Sequence, residues 1–124
     1  IGTTYVAIDA AGPIAGFATV SASEISPDAM PASKRKRLPK YPLPVLRLAR
    51  LAVDQAYKGQ GVGNLLLRAV LGLASRMADD MGCVGVVVDA KDERARGWYE
   101  RYEFERLPDL PLTLWLPAAA IARL

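Results

Sequence analysis

The rhythm of apolar and polar positions changes several times along this chain, and each change marks an element. Thr3–Asp9 is short, β-branched and aromatic, which predicts a strand. Ala10-Ala11-Gly12-Pro13 is a turn, and Ile14–Ser23 predicts a second strand, so the chain opens on a hairpin. Ser26–Pro44 holds five of the nine prolines and reads as a loop with a short helix near Ala32–Arg37. Val45–Val53 predicts a third strand. Arg47 and Arg50 are an odd number of positions apart, so a regular strand points them to opposite faces, and only a bulge changes that.

From Gly61 to Met81 the period becomes helical. Val62, Leu65, Leu66, Ala69, Val70, Leu73, Ala74, Met77 and Met81 form the expected apolar stripe, with Asn64, Arg68, Ser75 and Asp79 opposite and Gly82 as the stop. Val84–Ala90 is almost continuously apolar, the pattern of a strand buried on both faces and paired in parallel. Asp92–Arg101 predicts a second helix with Asp92 as its N-cap. Phe104–Arg106 and Leu112–Leu116 predict closing strands, with Pro108 and Pro111 in the connection. The order β-β-β-α-β-α-β-β implies an α/β fold: antiparallel strands, then a β-α-β crossover, in a mixed sheet with helices packed on it.

Composition narrows the chemistry. A length of 124 residues with 52% hydrophobic positions suits one domain, residues 1–124, with a real core. No apolar run approaches the roughly 20 residues that span a bilayer, and no secretory signal opens the chain. The single cysteine, Cys83, permits no internal disulfide and fits a reducing compartment. It precedes an apolar run and is expected to be a small buried side chain rather than a nucleophile. Histidine is absent, which removes Ser-His-Asp and Cys-His catalysis and almost every zinc site, so no metal is expected. Proton transfer falls to Tyr, Asp, Glu, Lys, Cys, backbone or water.

The net charge of +3 is unevenly placed. Seven basic residues and no acid lie between Ala29 and Val53: Lys34, Arg35, Lys36, Arg37, Lys40, Arg47 and Arg50. The rest of the chain carries nine basic residues against thirteen acidic ones. A basic segment on an otherwise acidic domain points to a polyanionic partner, although a solvated loop with incidental charge has the same composition.

Leu51-Ala52-Val53 at the end of the third strand runs toward Tyr57-Lys58-Gly59-Gln60-Gly61-Val62-Gly63-Asn64, within which the long helix begins. Glycines let successive backbone N–H groups approach an anion, and a helix N-terminus adds unsatisfied donors and the positive end of its dipole. A pyrophosphate is the natural ligand of that geometry. The string lacks the Lys-Ser/Thr of a Walker A loop. It also lacks the third glycine of a dinucleotide fingerprint, since Asn64 stands there.

Lys58-Gly59-Gln60-Gly61-Val62-Gly63 resembles the signature Arg/Gln-x-x-Gly-x-Gly/Ala of the GNAT acetyltransferase superfamily, with Lys58 a conservative departure. Asp92-Glu93-Arg94-Ala95-Arg96-Gly97-Trp98-Tyr99-Glu100-Arg101-Tyr102-Glu103-Phe104 resembles that family's second signature, Asn-x-x-Ala-x-x-Phe/Tyr-Tyr-x-x-x-Gly-Phe. Asp92 replaces the usual Asn, and Glu103 the usual Gly, which puts the tight turn there in question. The resemblance implies a GNAT-like fold that uses acetyl-CoA as acyl donor. Leu51, Ala52 and Val53 would pair with the pantetheine arm. Lys58, Gly59, Gln60, Gly61, Val62, Gly63 and Asn64 would hold the pyrophosphate, and Asp92, Ala95 and Trp98 would complete the cofactor site. Tyr99 would protonate the leaving thiolate, whereas a purely structural Tyr99 would pack with Trp98.

No residue stands out as a general base; Asp54 and Glu24 lie near strand ends, and spacing does not nominate them. A lysine amine (pKa ~10.4) arrives protonated, whereas an α-amine (pKa ~8) is partly neutral. A site without a strong base therefore suits α-amines. Leu38-Pro39-Lys40-Tyr41-Pro42-Leu43-Pro44-Val45-Leu46, Leu48–Asp54, Asp89-Ala90-Lys91-Asp92 and Pro111–Leu116 are similar to the GNAT-type toxins of bacterial toxin–antitoxin pairs. That resemblance implies acetylation of the α-amine of aminoacyl-tRNA, a ribbon-helix-helix antitoxin, a homodimer and a cytoplasmic location. It assigns Lys34, Arg35, Lys36, Arg37, Arg47 and Arg50 to tRNA. It also implies a further N-terminal segment carrying a strand and helices, so that this chain is expected to be a shortened one. Two other functions share the motifs: acetylation of a small amine or a protein N-terminus, and a non-catalytic module that binds acyl-CoA or a protein partner.

Overall fold

Ala49 sits in a β-bulge that shapes the whole molecule. In this computed structural model, which describes residues 2–123, strand β2 (Ile14–Ile25) pairs antiparallel with β3 (Leu43–Val53). Thr19 faces Arg50 and Val20 faces Leu48, so Ala49 has no partner across the ladder. An extra residue flips the alternation that follows it. Leu48 and Leu51 therefore point to one face, opposite Val20 and Ala18, and Arg47 and Arg50 both point to the other. The regular-strand expectation for the two arginines is corrected by this one residue.

Six strands form a single sheet in the order β1-β2-β3-β4-β6-β5. β1 (Thr3–Ile8) makes the opening hairpin with β2, and β4 (Gly85–Asp89) lies parallel to β3. β6 (Leu110–Pro117) runs antiparallel to both β4 and β5 (Glu105–Leu107). Pro111 lies inside β6 rather than in the connection, which is confined to the turn between Leu107 and Leu110. β3 and β4 pair only over Leu46–Leu48 against Val86–Val88. Past Leu48 the strands part, and the edge of β3 that faces β4 is left open down to Val53.

Helix α2 (Val62–Met81) crosses from β3 to β4 and packs on one face of the sheet. Its buried residues are Leu66, Leu67, Val70, Leu71 and Ala74. The buried stripe is rotated from the expected one: Leu65 is 61% and Met81 70% exposed, Ala69 is exposed, and Leu67 and Leu71 take their place. Nine apolar residues at near-helical spacing leave that angle undetermined, and contact with Val20, Leu48 and Val86 of the sheet fixes it. Helix α3 (Glu93–Glu100) and the short α4 (Ala118–Ile121), which the sequence pattern does not predict, sit on the same face.

The second face is covered only in part. Segment 26–42 lies over Ile25, Leu43, Val45, Val87, Leu107 and Trp115, pinned by Met30, which is fully buried. Burying a methionine side chain contributes ~1.5–3 kcal/mol, enough to hold a proline-rich loop in place. The segment contains a single 3₁₀ turn, Pro27–Ala29, capped by Ser26, and the four-residue helix α1 (Ala32–Arg35). Cover on both faces explains why Val86, Val87 and Val88 are all buried in β4, as the unbroken apolar run predicts. Cys83 is buried at the start of this strand, its thiol 3.3 Å from the Gly85 carbonyl.

Candidate active site

The parting of β3 and β4 opens a cleft through the sheet, with a cavity of about 250 Å³. Leu48 to Ala52 form one wall, Asp89, Ala90 and Lys91 the other, and Ala95 and Tyr99 of α3 close it on the helical side. Phe17 of β2 lies beside Ala52, its partner on β3.

Below the cleft, Asp54 ends β3 and starts the 3₁₀ turn Gln55–Tyr57, its carboxylate accepting from the Ala56 N–H at 2.9 Å. Asp54 is therefore a cap, and Glu24 lies at the far end of β2 opposite Pro44. The chain then passes through Gly59 (φ 80°) and Gly61 (φ 79°), both in the left-handed region that glycine enters without strain. A Cβ added at either would meet nothing within 4 Å, so it is this backbone conformation that requires glycine at both positions. Gly61 is the N-cap of α2, and its carbonyl accepts the first helical bond from the Leu65 N–H at 3.0 Å. Among the described residues the N–H groups of Gly59, Gly61, Val62, Gly63 and Asn64 have no backbone acceptor. Left-handed glycines followed by a helix N-terminus make a concave row of donors that fits a diphosphate.

The third glycine does a different job. A Cβ on Gly63 would come within 3.3 Å of Trp98 Cζ2, so Gly63 is where α3 leans on the start of α2. Trp98 does not line the cavity; its ring stands 5.0 Å from those of both Tyr99 and Tyr102. Tyr102 in turn donates to Asn64 Oδ1 at 2.9 Å, and Arg68 Nε donates to the same oxygen at 3.2 Å. The Asn64 side chain thus ties α2 to the end of α3, leaving its N–H to the donor row. Asp92 caps α3 as expected, accepting from the Ala95 N–H at 2.8 Å. Lys58 and Gln60 are exposed on the loop, and the Gln60 amide donates to the Ala56 carbonyl.

Tyr99 is 6% exposed and packed against Phe104, with ring centroids 5.6 Å apart. Burial pushes its phenol up to about 12. At neutral pH it is a proton donor facing the cleft. The turn after α3 keeps the shape that a glycine would give: Glu103 adopts φ 70°, and its N–H bonds the Glu100 carbonyl at 3.0 Å.

The mouth on the face away from α2 is electropositive. Arg50 is exposed there, with Lys91 on the opposite lip. Asp89, which the sequence reading does not nominate for the site, is the carboxylate of this cavity lining. Both its oxygens are engaged, one with Arg47 Nη1 at 2.5 Å and the other with Thr113 Oγ1 at 3.1 Å. Arg47 also donates to Ser23 Oγ at 3.3 Å, so it braces β2, β3 and β4 rather than standing as a free cation. In the basic loop Arg35 is likewise engaged, donating to the Met30 carbonyl at 3.0 Å, and Lys34 is half-buried. Lys36, Arg37 and Lys40 are exposed on that loop.

Comparison with known proteins follows the same lines. The family described as Acetyltransferase (GNAT) domain matches residues 1–106. The chain is 35% identical over 105 residues to the tRNA-acetylating toxin of Mycobacterium tuberculosis, covering 85% of this chain and 63% of that protein. It therefore spans a little under two thirds of that relative's length. Two solved structures superpose closely: AtaT complexed with acetyl-methionyl-tRNAfMet (TM-score 0.91, 26% identity, 99% of this chain and 75% of that one) and AtaTR bound with AcCoA (TM-score 0.82, 26% identity, 99% and 74%).

Proposed function

The chain belongs to the GNAT acetyltransferase family, and on that premise we propose that it is a toxin that moves an acetyl group from acetyl-CoA to the α-amine of aminoacyl-tRNA. The observation that carries this reading is the cleft through the sheet, with the donor row and Tyr99 on the helical side and free cations on the other. Donor and acceptor then enter from opposite faces and meet where β3 and β4 part.

The fit to acetyl-CoA rests on the free N–H row at Gly59–Asn64 and on the open edge of β3 beyond Leu48, which offers backbone groups to an extended amide arm. Leu51, Ala52 and Val53 supply that edge. When bound, acetyl-CoA supplies a thioester whose carbonyl carbon bonds the acceptor nitrogen while the C–S bond breaks. Tyr99 holds its proton at Oη beside that point and gives it to the leaving sulfur. The amine's own proton replaces it, so the phenol is regenerated. Asp89, occupied by Arg47 and Thr113, is poorly set up as a strong base. An amine that is partly neutral on arrival suits this site, as an α-amine (pKa ~8) is.

Likeness to the tRNA-acetylating toxin and to the tRNA-bound AtaT structure supports tRNA as acceptor. Lys36, Arg37 and Lys40, with Arg50, would then meet its phosphates. The same reading includes a ribbon-helix-helix antitoxin, a homodimer and a cytoplasmic site of action. The test is to incubate the protein with labelled acetyl-CoA and charged tRNA. N-acetyl-aminoacyl-tRNA is the expected product; label that enters only small amines or peptides refutes the reading. Neutralising Lys36, Arg37 and Lys40 together should weaken tRNA use and flatten its salt dependence. Turnover of a small amine should be unchanged.

A further inference from the structure

The half of the second sheet face nearest the cleft is half-buried along β2 and exposed at Arg50 and Ala52. Segment 26–42 covers the other half through Met30, and among the described residues α2, α3 and α4 pack on the opposite face. Along this strip β2 presents Phe17, Thr19 and Ser21, opposite Ala52, Arg50 and Arg47 on β3, with Thr19 Oγ1 2.9 Å from Thr4 Oγ1 on β1. The bulge at Ala49 creates the strip, because without it Arg50 would turn toward α2. Among the described residues Arg50 forms no ion pair or side-chain hydrogen bond. Asp89, the acid that lines the mouth, is already matched by Arg47. Phe17 shares the cavity lining with Arg50 and with Tyr99.

An aromatic ring, a free guanidinium and the Ser21 hydroxyl on rigid strands form a surface suited to one kind of ligand. Aromatic faces stack unpaired bases, while Arg, Ser and Thr bond phosphate and ribose oxygens. A peptide N-terminus makes no comparable use of the guanidinium. Resting on the tRNA reading above, we propose that this strip receives the unpaired 3′ end of the acylated RNA. Phe17 stacks the terminal base, and Arg50 pairs with the adjoining phosphate. The ester-linked amino acid is thereby directed into the cavity toward Tyr99. Phe17 and Arg50 act as positioning residues for the acceptor.

The test uses the full chain and charged tRNA. Phe17→Leu keeps apolar volume without a π face and should raise KM for charged tRNA about tenfold, within the range found for loss of one stacked base. Phe17→Trp should restore it, and affinity for acetyl-CoA should be the same in all three proteins. Arg50→Gln should also raise that KM and reduce the slope of log KM against log salt by about one. On a nucleoside-free substrate, an amino-acid methyl ester, Phe17→Leu should raise KM by a clearly smaller factor than on charged tRNA. An unchanged KM for tRNA in Phe17→Leu overturns the inference, as does an equal rise with the methyl ester, which would assign Phe17 to the amino-acid side chain. If the wild type transfers nothing to charged tRNA, the tRNA reading fails as well, so the two failures are distinguishable.

Discussion

Tyr57 donates a 2.6 Å hydrogen bond to Asp9 Oδ2, tying the turn after β1 to the residues that lead into the glycine loop. Asp9 also accepts from the Ala11 N–H at 3.1 Å, so its carboxylate is fixed from its own side of the turn. The loop beyond is rich in glycine and costly to order, and a tie at its base limits the conformations it explores. Tyr57→Phe should therefore weaken CoA binding several-fold while leaving turnover at saturating acetyl-CoA nearly unchanged. Asp9→Asn, which keeps an acceptor oxygen, should be milder. Calorimetric titration with CoA measures both, and wild-type affinity in Tyr57→Phe would refute a positioning role.

The same bond has a pH window. The Tyr57 hydroxyl, and then the Ala11 N–H, hold the Asp9 carboxyl below the usual carboxylate range. Its contribution is thus present above that range and lost as pH falls through the lowered value. The Asp9 carboxylate pushes the Tyr57 phenol up. That contribution is present below the ordinary tyrosine value and lost as pH rises through the raised one. CoA affinity should be flat across the neutral range and fall at both extremes, with the alkaline fall absent in Tyr57→Phe.

Tyr99→Phe should lower kcat by about 10²-fold or more, the usual loss on removing a general acid, with little change in acetyl-CoA affinity. An equal loss in both would mean that Tyr99 only supports the pocket. Since burial raises its phenol to about 12, the rate should show no loss from Tyr99 ionisation below about pH 11. The unfolded tyrosine ionises near pH 10, so stability should fall from there to pH 12. The contribution is on the order of 2 kcal/mol, and it should be missing in Tyr99→Phe. Chemical denaturation across that range reads it out.

Glu103 holds a left-handed backbone that costs a residue with a Cβ roughly 1–2 kcal/mol. Glu103→Gly should raise the melting temperature, with a net gain of about 1 kcal/mol once glycine's extra unfolded-state entropy is subtracted. Activity should not change, because Glu103 is exposed and outside the cavity lining. A lower melting temperature would show that the glutamate side chain stabilises the turn.

Asp92→Ala should cost about 1 kcal/mol through loss of the N-cap, and Asp92→Ser should recover most of it. If CoA affinity falls in Asp92→Ala but returns in Asp92→Ser, the cap positions α3 for the donor. If it falls in both, the carboxylate itself touches the ligand.

Much of this was legible in the residues. Period alone marked the strands, the long helix and the doubly buried β4, because burial imposes those repeats directly. The glycine loop and the Asp92 cap were readable because each depends on a few adjacent residues. The angle of the apolar stripe on α2 has no such local signal, since Leu65 and Leu67 differ only in what they face.

What the sequence by itself determined is local: the order of elements, the glycine-rich loop at 59–63, the capped helix that carries Tyr99, and a basic stretch between Ala29 and Val53. Only the tertiary structure decided which of those basic residues are free. Arg47 is matched by Asp89, forty-two positions away, and Arg35 is spent on a backbone carbonyl, while a single bulged residue turns Arg50 to the face that Phe17 shares. Charge is a property of composition, but its availability depends on strand register and on partners distant in the chain, and neither has a local signature.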